Sequence, residues 1–129
     1  MEKKNIITKK LQNQILLKKS SISITDQKFD LIVSNPPYLS HKEFKNIDDG
    51  IKNFEPKIAF DGGSDGLFFY REIAKKIPNK MNKNAYLIIE IGNKQFRACK
   101  QIFSSSGLKL LKKTQDLQKK DRIMVFSKL

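Results

Sequence analysis

The chain has 129 residues, 39% of them apolar and 30% charged, which describes one globular domain able to bury a modest core. No apolar run reaches the roughly 18 residues of a membrane span, the start Met1-Glu2-Lys3-Lys4-Asn5 has no apolar signal core, and a single cysteine, Cys99, leaves no disulfide framework or cysteine metal cluster; a cytoplasmic protein without a membrane partner is expected. The net charge of +13 would suit a polyanion, but it comes from 23 Lys and only 3 Arg spread along the chain, which reads as a solvated lysine surface rather than a nucleic-acid site built on arginine forks.

Residues 3–13 have the spacing of an amphipathic helix, with Ile6, Ile7 and Leu11 on one side and lysines between. Ile15-Leu16-Leu17 is a short apolar run and predicts a strand. Phe29 to Ser34 is a stronger strand, apolar and β-branched, halted by Pro36 and Pro37. Residues 39–64, with Gly50, Pro56, Gly62 and Gly63, read as a long loop holding one helical turn, and loops of that length tend to be functional. A helix is predicted from Asp65 to Ile77, stopped by Pro78. Ala85 to Ile91 is a nearly continuous apolar run, suited to a strand buried on both faces and ended by Gly92. Lys94 to Ser105 follows as a helix with Phe96, Cys99, Ile102 and Phe103 inward, closed by Gly107. Leu108 to Lys112 and Ile123 to Ser127 read as two strands joined through a polar turn containing Asp121 and Arg122.

Strands alternating with helices predict an α/β layer with a mainly parallel sheet, and the last two strands, joined without a helix, predict an antiparallel ending. Ligands of such sheets sit beyond the carboxyl ends of the strands. The residues just after Ser34 and Ile91 are therefore the candidate site.

Asn35-Pro36-Pro37-Tyr38 occupies the first of those places. Pro36 holds Asn35 out of the helical region, and the two prolines stiffen the segment. The Asn35 side-chain oxygen and the Pro36 carbonyl can then converge as two acceptors for both hydrogens of a planar NH₂ group. Tyr38 offers an aromatic face that can stack on a planar substrate and stabilise developing positive charge by roughly 0.5–2 kcal/mol. Such a grip suits in-line methyl transfer from a sulfonium to an amino or amide nitrogen, with catalysis by positioning and electrostatics. The plain alternative is a proline-stiffened turn after a strand.

Asn-Pro-Pro-Tyr resembles the motif of class I methyltransferases that act on planar NH₂ groups, and three further stretches narrow the likeness. Phe54 to Arg71 contains Glu55-Pro56, Ala59, Asp61-Gly62-Gly63, Asp65-Gly66-Leu67 and Tyr70-Arg71; Glu90-Ile91-Gly92 is followed by Gln95; Asp116-Leu117 is followed by Asp121-Arg122. Together they resemble the HemK/PrmC family, the peptide chain release factor N(5)-glutamine methyltransferases. The resemblance implies a partial class I, Rossmann-like sheet with an antiparallel C-terminal strand. It implies that Asn35, Pro36, Pro37 and Tyr38 bind the glutamine of a release factor's Gly-Gly-Gln loop, with Asn35 and Tyr38 catalytic. Asn35 would also lie close to bound S-adenosylmethionine (AdoMet). Glu55, Asp61 and Arg71 match the pattern as supporting residues or as loop-fixing partners. Glu90 is a site-facing carboxylate or a strand-end residue. His41 and Cys99 match no role, and no cluster has metal-ligand spacing. A ribosomal-protein glutamine methyltransferase and an RNA or DNA amino-group methyltransferase are the alternatives.

The family's AdoMet site needs a glycine-rich turn after a first strand and an acidic residue after a second. This sequence has no G-x-G. The resemblance therefore implies that the first two strands and the small N-terminal helical domain are missing. Residues 1–129 would be the C-terminal part of the catalytic domain, as a truncated or frameshifted product, an internal start, or one half of a split enzyme with a separate N-terminal partner. Alone, the chain is expected to bind AdoMet weakly or not at all, and the strand near Ile15 to Lys18 would have no neighbour to pair with.

Overall fold

The computed structural model describes residues 2–10, 13–17, 26–46 and 59–129. In chain order they form α1 (Glu2–Thr8), β1 (Phe29–Ser34), α2 (His41–Lys45), α3 (Phe68–Lys76) running into a 3₁₀ turn (Ile77–Lys80), β2 (Met81–Glu90), α4 (Phe96–Ser105), β3 (Leu108–Gln115) and β4 (Asp121–Lys128). The four strands make one sheet in the order β1-β2-β4-β3. β1 and β2 are parallel, so both end at the same rim. β4 lies antiparallel between β2 and β3, the hairpin ending that the sequence predicts.

Helical spacing decides which face is covered. Tyr70, Ile73, Ala74 and Ile77 form one stripe on α3 and its continuation, and Cys99 and Phe103 one on α4. Both stripes join a single core with Leu87 and Ile89 of β2 and Met124 and Phe126 of β4. Phe103 sits at its centre, its ring 4.9 Å from that of Phe126 and edge-on to Tyr70 at 6.4 Å. The alternate residues point the other way and stay open: Leu31 is 55%, Val33 68% and Tyr86 47% exposed. Among the described residues β1 is paired on its β2 side only. At the opposite edge, β3 presents exposed Lys109 and Lys112 along its length.

Several predicted boundaries move, each for a local reason. Ile15 to Leu17 is not a strand; these residues are in irregular structure and exposed. A strand exists only with a partner for its backbone, and no described strand lies beside this run. The first helix closes at Thr8 rather than residue 13, because Lys10 takes a left-handed φ of 55°. Leu11 lies outside the described residues, and Ile7 remains exposed. α3 starts at Phe68, not Asp65, because Gly66 has φ 74° and Asp65 Oδ1 accepts the Leu67 N–H at 3.0 Å. β2 begins four residues before Ala85, where Met81 pairs with Phe29 across an irregularity. Asp121 and Arg122 open β4 rather than sit in the turn. Asp116 makes that turn, its Oδ1 accepting the N–H groups of Gln118 and Lys120.

The helical turn predicted within 39–64 is α2. Ser40 caps it reciprocally: Glu43 N–H donates to Ser40 Oγ at 3.3 Å, and Ser40 N–H donates to Glu43 Oε2 at 2.8 Å. Ser40→Ala removes one half of this box and should cost about 1 kcal/mol in a urea titration. Among the described residues no helix is long and apolar enough to cross a membrane.

Candidate active site

Asn35 to Tyr38 leave the carboxyl end of β1 and line a cavity of ≈330 Å³ with Leu39, Ala59 and Phe60. Pro36 is buried, Pro37 and Tyr38 are half-buried, and Asn35 is exposed at the rim. A polar side chain therefore sits at the mouth of a stiff, largely apolar wall, the arrangement of a small-group site.

The segment is held at its far end. Tyr38 O–H donates to Glu90 Oε1 at 3.3 Å. Burial, then the nearby Glu90 charge, raises the Tyr38 pKa, partly offset by Arg122, so the phenol stays protonated and can donate. The next residue joins a second loop: Leu39 N–H donates to Phe60 C=O at 3.0 Å, and Gly62 N–H donates to Leu39 C=O at 2.8 Å. This bridge between Leu39 and Asp61 ties the proline segment to the glycine-rich turn. The turn must be glycine-rich because it passes so close. A Cβ on Gly62 would lie 2.9 Å from the Tyr38 Cα, and one on Gly66 2.5 Å from the Tyr38 carbonyl oxygen.

The structure places the other predicted residues unequally. Glu90 ends β2 half-buried and faces Tyr38. Asp61 Oδ1 accepts the Gly63 N–H at 2.9 Å and lies 3.1 Å from His41 Nε2, so it fixes the turn behind the cavity. Arg71 is not brought to the proline segment. It pairs with Asp65 and borders a different groove with Pro78 and Ile102. Glu55 lies outside the described residues. Cys99 is fully buried, and burial pushes its thiol up to about 12, which leaves it unreactive at neutral pH. No group of three His, Cys, Asp or Glu among the described residues could hold a metal.

Two residues of the site carry no predicted role. Arg122, bonded through Nε to Asp116 Oδ2 at 2.9 Å, lines a second cavity of ≈240 Å³ with Tyr38, Gly92 and Gln95. Gln95 donates to the Tyr38 carbonyl at 2.9 Å. The spacing Glu90-Ile91-Gly92 followed by Gln95 is the only sequence signal for it, and that spacing names no role.

The Asp65–Arg71 pair gives a pH signature. The Arg71 guanidinium, then the Leu67 N–H, hold the Asp65 carboxyl at about 2. A folded value below the ordinary one of about 4 means stability that is complete above pH ~4 and lost as pH falls towards 2. Both side chains are about half exposed, so the contribution is small. Acid unfolding should show wild type and Asp65→Asn separated by a constant gap above pH ~4 that closes between ~4 and ~2.

No protein-family model matches the chain. It is 39% identical over 99 residues to the release factor glutamine methyltransferase of Geobacter sulfurreducens, across 77% of this chain and 35% of that protein. It is 36% identical over 127 residues to the corresponding protein of Clostridium botulinum, across 95% of this chain and 44% of that one. A methyltransferase structure from Pyrococcus furiosus matches with a TM-score of 0.61 over 98% of this chain and 55% of its own, at 16% identity, a likeness of fold alone. The chain thus spans less than half the length of these two curated relatives.

Proposed function

Since this chain belongs, over the stretch it shares with them, to the release factor glutamine methyltransferases, we propose that it supplies the acceptor-binding part of such an enzyme. The acceptor is the side-chain amide nitrogen of the glutamine in the Gly-Gly-Gln loop of class I peptide chain release factors. The observation that carries this reading is the position of Asn35 to Tyr38, a stiff segment at the carboxyl end of β1 lining its own cavity.

The Asn35 side-chain oxygen and the Pro36 carbonyl accept the two amide N–H bonds and orient one face of the nitrogen outward. Both acceptors also draw electron density onto a nitrogen whose lone pair is otherwise delocalised into its carbonyl. In the complete enzyme the new N–C bond would form as the S–C bond of the methyl donor breaks, and the surplus proton would leave to water. Tyr38, protonated and anchored on Glu90, stacks beside the reacting amide. AdoMet supplies the methyl group.

The residues of this chain do not make a complete AdoMet site. Asn35 reaches the rim, but the sequence has no G-x-G turn. We place the rest of that site, with the first two strands, in the more than half of each relative that this chain does not span. A strand from that half would pair along the edge of β1 that is unpaired among the described residues, and its helices would cover Leu31, Val33 and Tyr86. The enzyme would act in the cytoplasm, where its substrate works.

The test adds labelled AdoMet and a purified release factor to this chain with a glycine-rich half from the Geobacter relative. Label should enter the factor, and not a variant whose loop glutamine is alanine. Label entering RNA or a ribosomal protein instead would overturn the substrate.

A further inference from the structure

Gln95 stands just before α4, and its amide uses every hydrogen-bonding group it has. Nε2 donates to the carbonyls of Tyr38 at 2.9 Å and Gly66 at 3.2 Å. Oε1 accepts the Gly92 N–H at 2.9 Å and, at 3.2 Å, shares the Tyr70 O–H with the Glu90 carbonyl at 3.3 Å. Burial, above all, keeps Tyr70 protonated, so it remains a donor. Four pieces of chain meet on one side chain: the segment after β1, the glycine turn, α3 and the exit of β2.

The backbone around it is cleared to let it in. A Cβ on Gly66 would lie 2.7 Å from Nε2, and one on Gly92 2.6 Å from Oε1. The chemistry of the socket selects a primary amide, which offers two donors and two acceptor lone pairs in one plane. An ionised carboxylate would oppose the Tyr38 and Gly66 carbonyls. An ammonium would have nothing to accept the Gly92 N–H.

We propose that Gln95 is a positioning residue for the acceptor pair. β1 fixes the near end of Asn35–Tyr38, Gln95 fixes the far end through the Tyr38 carbonyl, and Pro36 and Pro37 stiffen what lies between. With both ends held, the Asn35 and Pro36 oxygens keep one separation and one direction without reorganising during the reaction. Gln95 touches no substrate. The proposal rests on the reading of Asn35–Tyr38 as the amide-binding segment, although the clamp itself can be tested without it.

Gln95→Met keeps the length of the side chain and loses all four bonds. Leu39 and Gly62 donate to Phe60 and to Leu39, not to Gln95, so their amide hydrogens report the loop rather than the lost bonds. Hydrogen exchange in Q95M should quicken about tenfold or more at these two amides and leave the β2 and β4 ladder unchanged. With the cofactor half supplied, kcat should fall about 10–100-fold while AdoMet affinity holds. Gln95→Glu adds a readout that packing alone would not move. Its carboxyl can donate only when protonated, so activity and Leu39 protection relative to wild type should recover as pH is lowered from 8 to 5, roughly the range set by a raised carboxyl. If Q95M fails to fold, the same comparison within Q95E decides. Wild-type exchange at Leu39 and Gly62 in Q95M, or a Q95E ratio flat with pH, overturns the clamp. If wild type methylates no release factor, the functional reading fails, and exchange alone judges Gln95.

Discussion

Replacing Asn35 by alanine should lower single-turnover methyl transfer by about 10²–10³-fold, with the cofactor half present. The loss is that of one oriented partner whose hydrogen bond counts most as charge shifts on the nitrogen. Stability should stay within about 0.5 kcal/mol, because Asn35 is exposed at the end of β1. Substrate KM should change less than kcat if the amide is gripped mainly at the transition state. Asn35→Asp is the sharper comparison. It restores an acceptor of nearly the same shape but adds charge beside an approaching sulfonium, so partial rescue is expected. Transfer within about threefold of wild type in N35A would remove this residue, and with it the proposed chemistry, from the site.

Gly66→Ala should destabilise the fold by roughly 2–5 kcal/mol, from left-handed backbone strain plus overpacking. Gly66 has φ 74°, and its added methyl would meet the Tyr38 carbonyl oxygen at 2.5 Å, the Gln95 amide at 2.7 Å and the Ser40 nitrogen at 3.2 Å. Two of these neighbours are backbone and cannot swing aside. Gly107→Ala is the control: φ is 87° there, but nothing lies within 4 Å of the added methyl. Chemical denaturation should give G107A only the conformational part, about 1 kcal/mol. Equal losses in the two variants would mean that the crowding around Tyr38 relaxes at no cost. In a domain whose whole stability is roughly 5–15 kcal/mol, the Gly66 loss alone would unfold a sizeable share of molecules in mild denaturant.

The sequence was most legible where one side chain's environment is set by its near neighbours. Ala85 to Ile91 reads as a strand from its apolar run, and β2 contains that run up to Glu90. Only one face is buried, however: Ala85, Leu87 and Ile89 face the core, while Tyr86 on the other face is exposed, so the expected burial on both faces is not what the structure shows. Phe29 to Ser34 reads as a strand, and the two prolines mark its end. Asn35 to Tyr38 is contiguous, so a site there could be seen without knowing the fold. Ile15 to Leu17 differs from its expected strand for the converse reason: apolar residues say that a segment can pair, while pairing itself depends on a strand elsewhere. In the sequence Gln95 shows only as part of a spacing, because its partners Gly66 and Tyr38 lie 29 and 57 residues away. Arg71 shows the same limit, since a matched motif position does not reveal that its partner is Asp65 on an exposed surface.

The two rims of the sheet differ in how they meet another molecule of the same kind. β3 exposes Lys109, Lys112 and Lys113 around Leu111, and β1 exposes Leu31 and Val33. What separates two such β1 rims in dilute buffer is long-range repulsion between bodies of charge +13. That repulsion reaches about 8–10 Å at physiological ionic strength and only about 3 Å in molar salt. The colloidal behaviour of the isolated chain is therefore governed by the electrolyte, and concentrated salt strips away its guard against edge-to-edge stacking.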